Sequence, residues 1–94
     1  MSLFVVEYTY SAETAAGREE HRPAHRAWLV DLVEKKTVVA SGPFADRSGA
    51  FIVVVGPDAT AVEELFDQDP FARHDLLTDK RIVEWAPLVG PFND

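Results

Sequence analysis

Residues 50–55, Ala-Phe-Ile-Val-Val-Val, form a strand-like run that does not alternate between apolar and polar positions. A strand with one wet face would carry a polar side chain at every second position. This one therefore predicts cover on both faces, as at the centre of a sheet. The chain has 94 residues, which suits a single domain over residues 1–94. Helical periodicity elsewhere accounts for two helices, enough to cover one face of a sheet. A second copy is the economical cover for the other face, so the pattern predicts a homodimer packed sheet to sheet.

The remaining elements follow from the same reasoning. Residues 3–10 are rich in β-branched and aromatic side chains and read as the first strand. A polar, Ala-rich connection follows over residues 11–17. His25, Trp28, Leu29, Leu32 and Val33 recur at helical spacing on one face. Pro23 suits the first position of that helix, where its missing N–H is harmless, although Arg18-Glu19-Glu20 would also allow a start one turn earlier. Residues 37–41 form a second strand, stopped by Gly42-Pro43, and Asp46-Arg47-Ser48-Gly49 forms a turn into the third. Asp58 is placed to cap a second helix carrying Ala61, Val62, Leu65 and Phe66, which Asp69-Pro70 interrupts. A short helical turn over residues 71–77 and a last strand over residues 81–88 complete the chain, with Pro87 marking an edge or a strand end. The order is βαββαβ, which predicts an α+β ferredoxin-like sandwich.

Charge and composition remove several functions. Nine Lys+Arg against 16 Asp+Glu give a net charge of −7, and no basic cluster is present to track a nucleic-acid backbone. With no cysteine, disulfides, thiolate catalysis and Cys-based metal centres are excluded. No apolar run is long enough to span a membrane, and Met1-Ser2-Leu3 does not open a signal peptide, so a cytoplasmic location is expected. Gly-rich phosphate loops, a serine nucleophile elbow and a dinucleotide fingerprint are all missing, and no cofactor is expected.

A few residues remain that can do chemistry. His21 and His25, four apart, can share a helix face and bind a metal, but no carboxylate completes a motif, and no metal site is assigned. His25 reads either as a core histidine bonded to a backbone carbonyl or, near a helix N-terminus whose dipole disfavours imidazolium, as a neutral base. Asp69 is either turn chemistry before a proline or a carboxylate partner for such a base, with Phe71 anchoring its loop to the core. Asp67 reads as a solvated surface charge. Arg22, beside the expected helix start, can join exposed amides in holding an anion. Ser41-Gly42 ends a strand where a ligand or another backbone can approach closely.

Arg22-Pro23-Ala24-His25, Trp28-Leu29, Ser41-Gly42-Pro43, Asp69-Pro70-Phe71 and a closing strand ending in Trp85 together resemble the YCII-related (YciI-like) family over nearly the whole chain. The resemblance implies a dimeric α+β barrel, in which ferredoxin-like protomers pair through their sheets. It further implies a His/Asp-centred pocket, with His25 as the pocket histidine, Asp69 as its partner, and Arg22, Ser41 and Gly42 lining the cavity. One relative dehydrochlorinates a chlorinated hydroxyquinol. Many members have Gly after the first helix where this chain has Lys36, a substitution that would be strained if the backbone there is left-handed.

Two functions are in view. The first is a small lyase or isomerase acting on a cyclic or aromatic organic acid, with His25 as base, Asp69 orienting it and Arg22 holding the substrate anion. The second is a non-catalytic dimer that binds a small ligand or serves a larger enzyme, with His25 and Asp69 forming a structural hydrogen bond. An open pocket at His25 with a trapped buffer anion favours the first, and a filled core there the second.

Overall fold

A computed structural model describes residues 1–92. Strands β1 (Ser2–Thr9), β2 (Val38–Pro43), β3 (Gly49–Gly56) and β4 (Asp79–Trp85) form one antiparallel sheet in the order β2-β3-β1-β4. Helices α1 (Ala15–Glu34), α2 (Ala59–Phe66) and the single-turn α3 (Pro70–Arg73) complete the domain, with a 3-10 turn over Ala12–Thr14 leading into α1. The expected βαββαβ sandwich is present, and no helix among the described residues is long and apolar enough to cross a membrane.

Register decides which side chains meet. On β1, Phe4, Val6 and Tyr8 point to one face, and Val6 lies between Ile52 of β3 and Ile82 of β4. With Ala50, Ile52 and Val54 of β3 they form the floor of the core, roofed by Leu32 of α1 and by Val62 and Phe66 of α2. Asp58 caps α2, its Oδ1 accepting from the Ala61 N–H at 2.8 Å, so the helix starts where sequence places it. On the opposite face Val5 lies between Val53 and Val83, and Leu3 between Val55 and Trp85. The helices of one chain leave that face uncovered, and Phe51 is 42% exposed.

Three boundaries differ from the sequence expectation. Helix α1 begins at Ala15, so Pro23 lies inside it with no N–H to give the Glu19 carbonyl. The extra turns are held by docking. Gly17 sits so close to Leu76 that a methyl group added there would meet Leu76 Cδ2 at 2.5 Å, and Thr14 Oγ1 donates to the Leu76 carbonyl at 3.2 Å. Strand β2 continues through Gly42 to Pro43, because β2 is an edge strand and an edge tolerates the donor that proline lacks. Strand β4, the other edge, ends at Trp85, before Pro87.

Lys36 adopts φ 64°, the left-handed conformation that only glycine accepts without strain. Its N–H donates to the Val33 carbonyl at 3.0 Å while the Thr37 N–H reaches back to Leu32, closing α1 into β2. Replacing Lys36→Gly should raise the free energy of unfolding by about 1 kcal/mol, measured by urea denaturation.

Candidate active site

The site is built around a carboxylate with no exposed surface. Asp69 precedes Pro70, which starts α3, and its extended backbone lets the side chain fold back to accept from the Phe71 N–H at 3.0 Å. The same Oδ1 accepts from His25 Nδ1 at 2.7 Å, and Oδ2 accepts from the Tyr8 hydroxyl at 2.6 Å. Three elements, α1, β1 and α3, therefore meet on one side chain. Facing a carboxylate fixes the proton on Nδ1 and makes Nε2 the nitrogen left for other chemistry. Phe71 lies flat against the imidazole, with ring centroids 3.9 Å apart and planes 4° off parallel, which holds the ring's orientation. His25 is thus bonded to a carboxylate, and the alternative of a backbone carbonyl partner does not occur.

Beside His25 opens a cavity of about 640 Å³. One face of α1 supplies Arg18, Arg22, His25 and Leu29, spaced at i, i+4, i+7 and i+11. Tyr10, just after β1, and the Ser41-Gly42-Pro43 end of β2 form further walls, joined by Arg47 from the β2–β3 turn and by Phe71. Arg22, Ser41 and Gly42 thus come together with His25, whereas Asp69 stands behind the imidazole, outside the wall. A methyl group on Gly42 would meet no atom of the chain within 4 Å, so the chain's own backbone does not demand glycine there. Asp67 is exposed and pairs with Lys80 at 2.7 Å, apart from the site.

The length of α1 removes the helix N-terminus expected beside His25 and Arg22. Both lie well inside the helix, where amide N–H groups are taken up by intrahelical bonds and the dipole no longer acts. His25 owes its tautomer to Asp69 instead. Arg22 has no free amides beside it, and its guanidinium pairs with Glu19 at 2.5 Å. Likewise the His21 and His25 pairing is broken up: His21 stacks on His74, ring centroids 3.8 Å apart, while His25 turns to Asp69. Among the described residues no group of three potential ligands could hold a metal.

Three participants were not singled out from sequence. Tyr8 is fully buried, and the alternation Phe4, Val6, Tyr8 signals a hydroxyl pointing into the core that would need an acceptor there. Burial, and next the adjacent Asp69 carboxylate, push its phenol well above the ordinary tyrosine range. Tyr10 is raised in the same way, by burial first and then by Asp69, with Arg18 and Arg22 pulling against the shift. Arg18, whose guanidinium lies 4.3 Å over the Tyr10 ring, looked like no more than a helix former in a segment of uncertain structure.

The model of the YCII-related domain matches residues 2–86. The chain belongs to the YCII-related family. Among solved structures this YCII-related domain is similar to 5-chloro-2-hydroxyhydroquinone dehydrochlorinase from Burkholderia phenoliruptrix AC1100, determined in complex with 2,5-dihydroxybenzoquinone. The TM-score is 0.76, with 88% of this chain and 92% of that chain covered at 22% identity, a likeness of fold. No curated protein matches the YCII-related chain in sequence.

Because the phenol of Tyr8 is raised above 10.0 in the fold, the unfolded chain releases that proton first. The stability Tyr8 contributes is complete below about pH 10 and is lost as pH rises beyond it. Tyr8→Phe should flatten that alkaline decline. At neutral pH it should cost about 1–3 kcal/mol, since Asp69 Oδ2 loses a buried donor; urea unfolding between pH 7 and pH 11 (roughly the span bracketing the tyrosine pKa) reads both effects.

Proposed function

We propose that this domain is a small lyase- or isomerase-type enzyme acting on a cyclic or aromatic organic acid, in which His25 and Asp69 carry out proton abstraction or elimination. The observation that carries the reading is the position of His25, held at Nδ1 by a buried carboxylate 2.7 Å away while its ring borders a cavity of about 640 Å³. A purely structural hydrogen bond would need no such opening, and the cavity supports a site that takes a small molecule beside His25.

In the neutral ring Nδ1–H donates its hydrogen bond to Asp69 Oδ1, and Nε2 carries a lone pair. Nε2 takes a proton from a substrate carbon, and the electron pair of that C–H bond forms a new double bond. In an elimination the leaving group departs with its own electron pair; in an isomerisation a proton returns at another carbon. Asp69 stabilises the imidazolium formed in either case, and general base catalysis of this kind contributes about 10²–10⁴-fold. Tyr8 and the Phe71 N–H keep Asp69 in place, and the Phe71 ring keeps the imidazole plane fixed. Arg22, Ser41 and Gly42 line the volume the substrate would fill. The dehydrochlorinase of similar fold acts on a chlorinated hydroxyhydroquinone, which is compatible with an aromatic substrate and an elimination.

On an identified substrate, His25→Ala and Asp69→Asn should each lower kcat about 10²–10⁴-fold with the fold intact by circular dichroism. Full turnover in both folded variants would refute the dyad.

The same reading includes a homodimer. The outer sheet face carries Val5, Phe51, Val83 and Trp85 around a groove of about 310 Å³ that Glu7, Arg81 and Glu84 also line. A contiguous apolar patch of this kind is what a self-complementary interface buries. Light scattering should give twice the chain mass, and Val83→Lys, which places a charge in the middle of the face, should give the monomer.

A further inference from the structure

We propose that Arg18 is the anion receptor of the cavity, and that it takes the carboxylate of a single-ring organic acid whose reacting carbon faces His25. This rests on the reading of the cavity as a substrate site.

Arg18 is 7% exposed and yet borders the cavity. Its partners are all neutral: the Ser11 carbonyl at 3.0 Å, the Leu76 carbonyl at 3.5 Å, the Thr14 hydroxyl and the face of the Tyr10 ring. Among the described residues no carboxylate forms an ion pair with it. A buried charge is ordinarily paired, because removal from water is unfavourable unless an opposite charge compensates. The one carboxylate of the cavity lining, Glu19, is taken by Arg22, which leaves a bound anion to supply the counter-charge.

The other arginines of the wall are less suited to the task. Arg22 already holds Glu19. Arg26 and Arg47 are exposed, so water screens them and their pull on an anion is weaker. Arg18 also retains N–H donors beyond those given to Ser11, Thr14 and Leu76, in the planar fork that suits a carboxylate. It precedes His25 by seven residues on the same face of α1, about 10 Å along the axis. An acid with one ring spans from the receptor toward the base, whereas a bare inorganic anion would occupy one end only. The Tyr10 ring, which also lines the cavity, packs against the Arg18 guanidinium and holds it at that end.

The test is calorimetric binding of benzoate and cyclohexanecarboxylate, each against its neutral amide. Both acids should bind the wild-type protein at least ten-fold more tightly than the amides. Arg18→Gln should abolish that preference; a folded Arg18→Gln protein that keeps it overturns the proposal. Since Arg18 also ties the start of α1 to Leu76, a second variant leaves that tie untouched. The double change Arg26→Gln, Arg47→Gln removes the two exposed cavity arginines while Glu19 stays held by Arg22, and should retain the acid preference; its loss there would overturn the assignment to Arg18. Amides binding as tightly as acids, with affinity still lowered by His25→Ala, would sink the Arg18 inference and leave the cavity as a substrate site. Failure of all four probes to bind would overturn both.

Discussion

The rest of the structure depends on the burial of one carboxylate. Asp69 has no exposed surface, and a charge in that position persists only if its oxygens are fully engaged. The three donors come from a helix, a strand and a backbone N–H far apart in the chain: His25, Tyr8 and Phe71. Satisfying Asp69 therefore fixes how α1 lies over β1 and where α3 begins. It also sets the imidazole tautomer and, through the Phe71 stack, the imidazole plane. Stability and the proposed chemistry share one network, so the residues that orient the base are also the ones that hold the domain together.

Much of the architecture was legible because it is written in local periodicity. The alternation on β1, the unbroken apolar run of β3 and the Asp58 cap of α2 each reflect a short-range physical preference, and each element lies where the pattern puts it. The start of α1 was not legible, because a proline inside a helix opposes helix formation locally and only tertiary docking counters it. That docking is the contact of Gly17, Arg18 and Thr14 with Leu76, nearly 60 residues away in sequence. Edge position similarly decided that β2 could include Pro43, and the place of a strand in the sheet is set by which strands pair with it.

The candidate site was legible in part. His25 and Asp69 are marked by the R-P-x-H and D-P-F motifs, and the fold brings the two side chains to 2.7 Å. From sequence a helix N-terminus is also expected to act on the His25 ring. The fold replaces it with a direct carboxylate contact. Tyr8 and Arg18 are not legible in the sequence for a common reason. Each looks ordinary in its own segment, an aromatic in a strand and a cation among helix formers, and acquires a role only when a distant element closes over it.

What the sequence by itself determined is the order of elements, the apolar face each one presents and the identity of the groups able to carry a proton. Those properties depend on residues within a few positions of one another. Tertiary structure alone decided that Asp69 would be buried against His25 and Tyr8, that α1 would run eight residues ahead of Pro23, and that Arg18 would border a cavity without a carboxylate partner. Desolvation is the reason: the chemistry of a charged group is set by what excludes water from it, and that is known only once the whole chain has folded around it.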